Sequence, residues 1–176
     1  MNFILETPRL ILREFDISDA ENLFLLNSDP DVIRYTGDVA FKNVDEAKAL
    51  VENYVPYKRD GYGRWTVLLK DTNEFIGWCG LRFIEDTKKI DLGYRFLKKY
   101  WKKGYGTEAA QACLNYGFEK LGIKEIMARA NKENIVSIKI MEKIGMTYWK
   151  EGDCHDEPGV YYKMTVTEFK VRKRDK

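Results

Sequence analysis

A strand, a turn with two glycines and a helix follow one another in the middle of the chain, and this succession constrains the fold more than any other feature. Apolar side chains alternate over residues 90–96, a period of two that predicts a β-strand with one buried face. From Thr107 onward apolar residues recur at helical spacing, and Gly122 is well placed as the C-terminal cap of that helix. The connecting segment contains Gly104 and Gly106. We therefore expect a sharp strand-to-helix turn.

The turn has the composition of a phosphate-binding cradle. Gly104 and Gly106 allow a sharp bend and leave no Cβ in the way of a ligand. The helix start that follows supplies unpaired N–H donors and a partial positive charge, which together bind phosphates. Mobile positive charges surround the turn at Lys98, Lys99, Lys102 and Lys103. We interpret the turn as a pyrophosphate cradle; a solvated turn with lysines for solubility is the alternative, because short motifs also match by chance.

Length and charge limit the classes of function. A chain of 176 residues can form one domain with a substantial core, and we expect that domain over 1–170, followed by a basic tail over 171–176. The formal charge of +2, from 30 basic and 28 acidic residues, argues against nucleic acid as a partner. The three cysteines are far apart, which argues against a disulfide framework or a metal site and favours a reducing cytoplasm. We expect neither a signal peptide nor a membrane span.

The order of the predicted elements indicates a mixed α/β or α+β fold. A strand near 10–15 precedes two helices, expected over 18–27 and from 43 to about 59. Strands over 65–70, 75–83 and 90–97 form a meander, and a helix, a strand over 123–130, a helix over 134–144 and strands over 147–151 and 161–169 follow. We expect a central mixed, largely antiparallel sheet of about seven strands with about four helices on its faces.

A second motif begins thirty residues after the first glycine of the cradle. The pattern Asn-x-x-Ser-x-x-x-x-x-Lys-x-Gly occupies Asn134, Ser137, Lys143 and Gly145. Alone it describes a helix capped by Asn134 and ended by Gly145. Together with the cradle, in this order and spacing, it resembles the GNAT acetyltransferase superfamily, and within it the branch of ribosomal-protein N-terminal acetyltransferases. The segments that match are residues 7–13, 92–95, 100–109 and 134–146, and the resemblance covers nearly the whole chain.

The resemblance implies acetyl-coenzyme A as the donor, bound where the sheet splays beside the cradle. Trp101 stands where the family pattern has Gln or Arg, so backbone amides become the main pyrophosphate ligands. The implied cofactor-binding residues at the turn are Trp101, Lys102, Lys103, Gly104, Tyr105, Gly106 and Thr107. On the splayed strand, the backbone of Phe96 and Leu97 is expected to pair with pantetheine, and Asn134 to bond the pantetheine arm.

Acetyl transfer needs a base for the amine, a donor for the oxyanion and a proton for the leaving thiolate. The resemblance places Asp91 as the base, acting through water, with Glu85 as a second candidate; a salt-bridged surface carboxylate is the alternative for each. A backbone N–H near Phe96 is expected to hold the oxyanion. Many superfamily members have a Tyr as the acid where this chain has Met141, so we expect Ser137 to stabilise the thiolate, unless it only caps the helix.

The acceptor is expected to be a primary amine, on a small molecule or at the N-terminus of a protein or peptide, and the enzyme to be a monomer or homodimer. His155, the only histidine, lies in a polar loop, where solvated side chains are commoner than catalytic ones. The residues expected to line the acceptor site are Arg34, Tyr35, Trp65 and Tyr161. Four loop aspartates favour a cationic amine, unless they are only solvated: Asp29, Asp31, Asp38 and Asp153.

Two other classes of function stay open. Residues 104–109 also fit Gly-x-Gly-x-x-Ala, a dinucleotide-binding fingerprint with Glu125 about twenty residues on, yet several residues separate this segment from its strand. Because Met141 replaces the usual tyrosine, a catalytically degenerate protein that binds coenzyme A as a sensor or interaction module is the stronger alternative. Stabilisation by coenzyme A without turnover of any amine would identify the sensor.

Overall fold

The computed structural model describes residues 3–85 and 87–174, and these form eight strands and seven α-helices. The strands are β1 Phe3–Glu6, β2 Leu10–Arg13, β3 Arg64–Leu69, β4 Phe75–Ile84, β5 Lys89–Phe96, β6 Glu125–Asn131, β7 Thr147–Asp153 and β8 Pro158–Thr165. The helices are α1 Ala20–Ser28, α2 Pro30–Ile33, α3 Val44–Glu52, α4 Pro56–Asp60, α5 Tyr105–Glu119, α6 Ile135–Lys143 and α7 Val166–Arg174. Within these described ranges, no helix is long and apolar enough to cross a membrane.

All the described strands belong to one sheet, ordered β1-β2-β3-β4-β5-β6-β8-β7, in which β5 and β6 are parallel and the other neighbours antiparallel. β4 and β5 pair continuously, and Gly77 lies opposite Phe96 at the end of the ladder. β5 and β6 share a single register pair, Asp91 with Met127, and part beyond it. The prediction of a mixed, largely antiparallel sheet that splays after the cradle strand is therefore confirmed.

Short elements and boundaries account for the differences from the predicted order. β1, which was not predicted, pairs antiparallel with β2 and raises the number of strands to eight in the described chain. The helix expected from 43 to about 59 is divided into α3 and α4, because the backbone leaves the helical conformation at Asn53 and Pro56 starts the next helix. The last strand ends at Thr165, four residues before the predicted boundary.

α7 occupies most of the segment that was expected to be a basic tail. It begins with a capping box, in which Thr165 N–H donates to a Glu168 carboxylate oxygen at 2.7 Å and Glu168 N–H donates to Thr165 Oγ1 at 3.3 Å. Phe169 stacks on Phe118 of α5 with ring centroids 4.9 Å apart. The predicted boundary at residue 170 thus falls inside α7, while Asp175 and Lys176 lie outside the described residues.

Helices cover both faces of the sheet and give them different chemistry. α5 and α6 pack on the face to which Leu92 and Phe96 contribute, in the main hydrophobic core. α1 and α3 pack on the other face with a smaller apolar cluster. Because side chains alternate along a strand, Asp91 and Arg95 point to the α1 side, opposite to Leu92 and Phe96. The gap between β5 and β6 therefore has an apolar side toward α5 and a charged side toward α1.

Candidate active site

A cavity of about 630 Å³ opens where β5 and β6 part. Its walls come from α2 and the residues after it, the end of β5, the cradle turn with the start of α5, and the first turns of α6. The structure thus brings the cradle, the splayed strand and the second motif together. Eleven of the predicted site residues, all within the described chain, line it: Arg34, Tyr35, Phe96, Trp101, Lys102, Gly104, Tyr105, Gly106, Thr107, Asn134 and Ser137.

The cradle presents three backbone N–H groups that have no partner within their helix. The first hydrogen bond of α5 runs from the N–H of Glu108 to the carbonyl of Gly104, at 3.0 Å. Gly104 has a φ of +82°, a left-handed conformation that favours glycine, and no side chain caps the helix start. The N–H groups of Tyr105, Gly106 and Thr107 are consequently available to an anion in the cavity.

Lysines contribute to the cradle unequally. Lys102 lines the cavity, whereas Lys103 does not, and the Lys103 carbonyl accepts a hydrogen bond from Arg9 at 3.0 Å. From α6, Lys139 and Lys143 lie one helical turn apart on the cavity wall. The second motif included Lys143 without a role, and it gave no signal for Lys139. Positive charge therefore reaches the cavity from the cradle turn and from α6.

A charged clamp fixes the start of α5 to the beginning of β2. Arg9 Nε donates to Glu108 Oε2 at 2.6 Å, and Thr7 Oγ1 donates to Glu108 Oε1 at 2.6 Å. Burial acts to raise the pKa of Glu108, but the hydrogen bonds from Thr7 and Arg9 outweigh it and lower that pKa. A carboxylate in the first helical turn is also stabilised by the helix dipole. The clamp gives the N-terminal matching segment, residues 7–13, a structural role that the motif alone did not show.

The edge of β5 that faces the gap presents the backbone of Tyr94 and Phe96. Leu97 N–H donates to the Ile76 carbonyl on the β4 side at 2.9 Å, and hydrogen-bonding direction alternates along an antiparallel strand. The backbone groups of Tyr94 and Phe96 therefore point into the gap, and those of Leu97 point away from it. Trp101 Nε1 donates to the Phe96 carbonyl at 2.7 Å, so this side chain stabilises the turn where the family pattern has Gln or Arg.

A pair of hydroxyl groups lies on the cavity wall where α6 approaches β5. Ser137 Oγ is 2.9 Å from Tyr94 Oη, which is also 3.1 Å from the Ser137 carbonyl oxygen. Burial raises the pKa of Tyr94, although its bond to Ser137 acts in the opposite direction. Asn134 Oδ1 accepts from Ser137 N–H at 3.1 Å, so Asn134 caps α6 while it lines the cavity. Sequence reasoning missed Tyr94, because its position in β5 indicated burial and not a polar partner.

Asp91, the first predicted base, does not line the cavity. Asp91 is 7% exposed, and its carboxylate pairs with Arg64. The Arg64 guanidinium covers Gly93, where a Cβ would lie 2.5 Å from Nη2. Asp91 precedes Tyr94 by three residues, about 10 Å of strand. A proton would therefore reach Asp91 only through intervening water.

Glu85, the second predicted base, lies in the turn after β4. It forms ion pairs with Arg59 at 3.4 Å and Lys88 at 3.0 Å. This turn lies beyond the end of β5 at which Lys89 pairs with Ile84, whereas the cavity lies at the Phe96 end, roughly 20 Å away along the strand. The structure therefore does not bring Glu85 together with the other predicted site residues.

The residues predicted to line the acceptor site divide into two groups. Arg34 and Tyr35 lie on the cavity wall, with the guanidinium carbon 5.1 Å from the ring centroid. Trp65 is 1% exposed and packs edge-on against Tyr116 in the core, so the structure does not place it at the cavity. Tyr161 lies on β8, does not line the cavity either, and donates its hydroxyl proton to the Asp153 carbonyl.

Arg95 is a functional candidate that sequence reasoning missed. It lines the cavity, and its guanidinium donates to the side chain of Asn27 and, at 2.5 Å, to Asp38 Oδ2. These bonds tie β5 to α1 and to the loop after α2. Asp31, which was expected in a loop, lies in α2 and pairs with Lys98. Two of the acidic groups expected to favour a cationic amine are therefore already neutralised.

A metal-dependent site receives no support from these side chains. Within residues 3–85 and 87–174, no group of three His, Cys, Asp or Glu side chains is arranged to hold a metal ion. The polar groups that line the cavity are backbone amides, ammonium and guanidinium groups, hydroxyl groups, the Asn134 amide and the Asp31 carboxylate.

Comparison with known proteins gives the family. The family model described as Acetyltransferase (GNAT) domain matches residues 9–147. A protein of Bacillus licheniformis, Uncharacterized N-acetyltransferase p20, is 32% identical over 154 residues, which are 86% of this chain and 85% of that protein. The crystal structure of a GNAT-family acetyltransferase from Bacillus anthracis superposes with a TM-score of 0.79 at 32% identity, over 94% of this chain and 99% of that one.

A more distant structure shows the fold alone. Spermidine N-acetyltransferase from Vibrio cholerae, in complex with CoA and spermine, has a TM-score of 0.76 at 16% identity, over 93% of this chain and 99% of that one. The family match, the relatives above 30% identity and the sheet that parts between β5 and β6 agree. This chain belongs to the GNAT acetyltransferase family and is an acyltransferase.

Proposed function

We propose that the enzyme transfers the acetyl group of acetyl-coenzyme A to a primary amine that enters from the α2 side of the cavity. One observation carries the proposal: a single cavity joins the uncapped start of α5, the backbone edge of β5 at Phe96 and the Ser137–Tyr94 hydroxyl pair. The donor has a pyrophosphate, an amide-containing pantetheine arm and a thioester in that order. Each part thus has a chemical partner along the cavity.

The cradle fits a pyrophosphate because its glycines keep side chains out. A Cβ on Gly106 would lie 3.2 Å from Ile140 Cδ1 and 3.5 Å from the Phe96 ring, and would fill the floor of the cavity. Without it, the N–H groups at the start of α5 reach the anion. Lys102 and Lys139 supply positive charge from opposite sides. When bound, the donor supplies an activated acetyl thioester.

The hydroxyl pair is proposed to handle the proton of the leaving thiol. Tyr94 is protonated at neutral pH, as tyrosine ordinarily is, and burial raises its pKa further. Its hydroxyl lies 2.9 Å from Ser137 Oγ. Ser137 is proposed to donate toward the sulfur while Tyr94 replenishes or orients that proton. The Phe96 N–H, which points into the gap, is proposed to stabilise the oxyanion. Asp91 is retained as the base, reached through water.

An assay of thiol release tests the proposal. Wild-type protein is incubated with acetyl-coenzyme A and a panel of small amines and peptides, and stabilisation by coenzyme A is measured in parallel by thermal unfolding. We expect thiol release that depends on the amine, together with a raised Tm. Stabilisation without release from any amine would contradict the proposal and favour a coenzyme A sensor.

Substitution of Ser137 separates a chemical role from a capping role. Ser137→Ala should lower kcat by about tenfold or more and leave stabilisation by coenzyme A nearly unchanged, because its loss affects the reacting thiolate more than the bound donor. Ser18→Ala is the matched control, since Ser18 is exposed and lies in the 3-10 turn before α1, outside the cavity lining. An unchanged kcat would show that Ser137 has only a structural role in α6.

A further inference from the structure

The α1-side face of the sheet carries several arginines beside the cavity. Arg82 of β4 lies directly opposite Asp91 of β5, and directly opposed residues share a face. Met127 of β6 is the register partner of Asp91, so Arg129, two residues later, also shares that face. Arg64 reaches the same place from β3 and pairs with Asp91. Guanidinium groups from three strands therefore converge beside the gap.

Two of the arginines on this face form ion pairs, and the other two have no acidic partner among residues 3–85 and 87–174. The paired ones are Arg64 with Asp91, and Arg95 with Asp38. For Arg82 and Arg129, the described part of the chain offers no carboxylate within ion-pair distance, and Arg129 lies beside the hydroxyl of Tyr161. Among the described residues, these two positive charges therefore have no ion-pair partner next to the gap between β5 and β6.

These charges act on the same small region. Partial desolvation and the charge of Arg64 lower the pKa of Arg82, and Arg129 acts in the same direction, while the Asp91 carboxylate opposes them and also acts on Arg129. Desolvation and Arg129 also lower the pKa of His155, so its imidazole is neutral at pH 7 and adds no charge. His155 packs on Gly37, where a Cβ would lie 2.4 Å from the histidine Cβ. The β7–β8 loop and the loop after α2 thus meet over this face.

The unpaired arginines lie close to the proposed reaction centre. Since Met127 is level with Asp91, Arg129 is level with Gly93, about 3.3 Å along the strand from Tyr94, and Arg82 is level with Asp91, about 10 Å from Tyr94. Both arginines lie outside the cavity lining, on the α1 side of the gap, whereas the Tyr94 side chain lies on the α5 side. Tyr94 lines the cavity and contacts Ser137, where the proton of the leaving thiol is assigned. A small molecule that passes through the gap can therefore present one end to the hydroxyl pair on the α5 side and the other end to the long arginine side chains on the α1 side.

We propose that the acceptor is a small primary amine with a carboxylate or phosphate a few bonds from its nitrogen, and that Arg82 and Arg129 bind this anionic group. The inference rests on the proposed function and deepens it by naming the class of acceptor. Guanidinium groups bind both oxyanions through paired, charge-assisted hydrogen bonds. A polyamine would instead bring positive charge against two unpaired cations, which is unfavourable.

The test compares matched amines that differ in the anionic group. We compare phosphoethanolamine with ethanolamine, and β-alanine with β-alaninamide, and include spermidine as a polycation. The ratio of kcat/KM within each pair is measured for wild type, Arg82→Ala and Arg129→Ala. Because the intrinsic reactivity of each amine is the same for every variant, a change in the ratio reports on recognition of the anion. The phosphate and carboxylate pairs show which oxyanion is preferred.

We expect wild type to prefer the anionic member of at least one pair. Each alanine variant should lower kcat/KM for that member about 10- to 100-fold while changing the neutral member little. Arg129→Lys should recover part of the loss, because the ammonium keeps the charge without the bidentate geometry. Arg174→Ala, at the exposed end of α7, is the matched control and should leave the ratio unchanged. Thermal unfolding of every variant checks that the fold is retained.

The outcomes separate this inference from the proposed function. Turnover of ethanolamine, β-alaninamide or spermidine with a kcat/KM equal to or above that of the anionic amines overturns the inference, and so does a preference that survives in both alanine variants. Either result leaves acetyl transfer to an amine standing. Absence of thiol release with every amine contradicts the proposed function itself, and the inference falls with it.

Discussion

At the scale of single residues, the Ser137–Tyr94 contact determines what the cavity can do with a proton. A serine hydroxyl in water is a poor acid, but here its oxygen lies 2.9 Å from a phenol that burial keeps protonated. In the proposed mechanism this pair takes the role that a tyrosine at the position of Met141 has in many superfamily members. Its two members come from β5 and α6, so it exists only in the folded chain.

Replacing Tyr94 with phenylalanine should slow the chemistry more than it weakens binding. The ring stays in the core, while Ser137 loses its hydroxyl partner, so we expect kcat to fall about 10- to 100-fold with little change in stabilisation by coenzyme A. Steady-state kinetics and thermal shifts measure the two effects. Tyr148→Phe is the matched control, because Tyr148 is 55% exposed on β7. Equal kcat values for wild type and Tyr94→Phe would exclude a role for the phenol.

Replacing Gly104 with alanine tests the cradle. Gly104 has a φ of +82° and a Cβ there would lie 3.3 Å from Arg9 Nη2, whereas Gly61 has a φ of +78° with open space around it. Both substitutions impose similar backbone strain, but only Gly104→Ala should weaken coenzyme A binding, by about tenfold or about 1.4 kcal/mol. Calorimetric titration measures the affinities. A similar loss in both variants would assign the effect to strain alone.

The sequence predicts a residue of this site correctly when the geometry around that residue is determined by one short segment of the chain. Gly104 and Gly106 follow from the backbone needs of a sharp turn, and Asn134 with Ser137 from the start of a helix. Trp65 was placed at the site but lies in the core, because alternation along β3 does not say which face meets a ligand. Contacts between distant elements, such as that of Tyr94 with Ser137, leave no local signal.

At the scale of elements, the clamp of Thr7, Arg9 and Glu108 holds α5 so that its first N–H groups face the cavity. The pKa of Glu108 is lowered in the folded chain from an ordinary value of 4.5. A carboxyl group with a lowered folded pKa stabilises the fold above its unfolded pKa, and this contribution is lost as the pH falls through the folded pKa. The clamp should therefore weaken in acid.

Glu108→Gln tests this pH dependence. We expect it to lower the free energy of unfolding at pH 7 by about 1 kcal/mol, a modest value because solvent screens a partly exposed pair. The difference from wild type should shrink below pH 4.5 as the wild-type carboxylate is protonated. Urea unfolding of wild type and variant at pH 7 and below pH 4.5 measures this difference. Glu21→Gln is the control for an acidic residue in a first helical turn. A difference that does not change with pH would contradict the assignment.

Element order follows from the sequence better than element ends. The strand–turn–helix unit was predicted because its period changes from two to 3.6 residues across a glycine turn. α7 was missed although Thr165 and Glu168 have the spacing of a capping box, since the apolar positions before it continued a strand pattern. The splay itself has no sequence signal beyond family resemblance.

At the scale of the whole molecule, the sheet has two parts, β1–β5 and β6–β8, joined by one register pair. The parting that admits a ligand also removes the backbone hydrogen bonds that would hold those parts together. On one face α5 packs against both parts, where a Cβ on Gly117 would lie 2.8 Å from Leu81 and from Ile126. On the other face, the contact of Gly37 with His155 joins the loop after α2 to the β7–β8 loop. This loop contact lies on the α1 side of the gap, where the acceptor is proposed to bind.

Gly37→Ala should therefore disturb the acceptor side without disturbing the cradle. Gly37 has a φ of +68°, and its Cβ would lie 2.4 Å from the Cβ of His155, so the two loops must separate. Because those loops cover the face that holds Arg82 and Arg129, we expect KM for the amine to rise about three- to tenfold while the affinity for coenzyme A stays unchanged. Gly61→Ala, with similar strain but no neighbour within 4 Å, isolates the contact from the backbone effect. Equal changes of KM in both substitutions would assign the effect to backbone strain. A coenzyme A affinity that fell in step with KM would show that the loops do not act on the amine separately from the cradle. In either case, only the packing of α5 would be left to hold the two parts of the sheet.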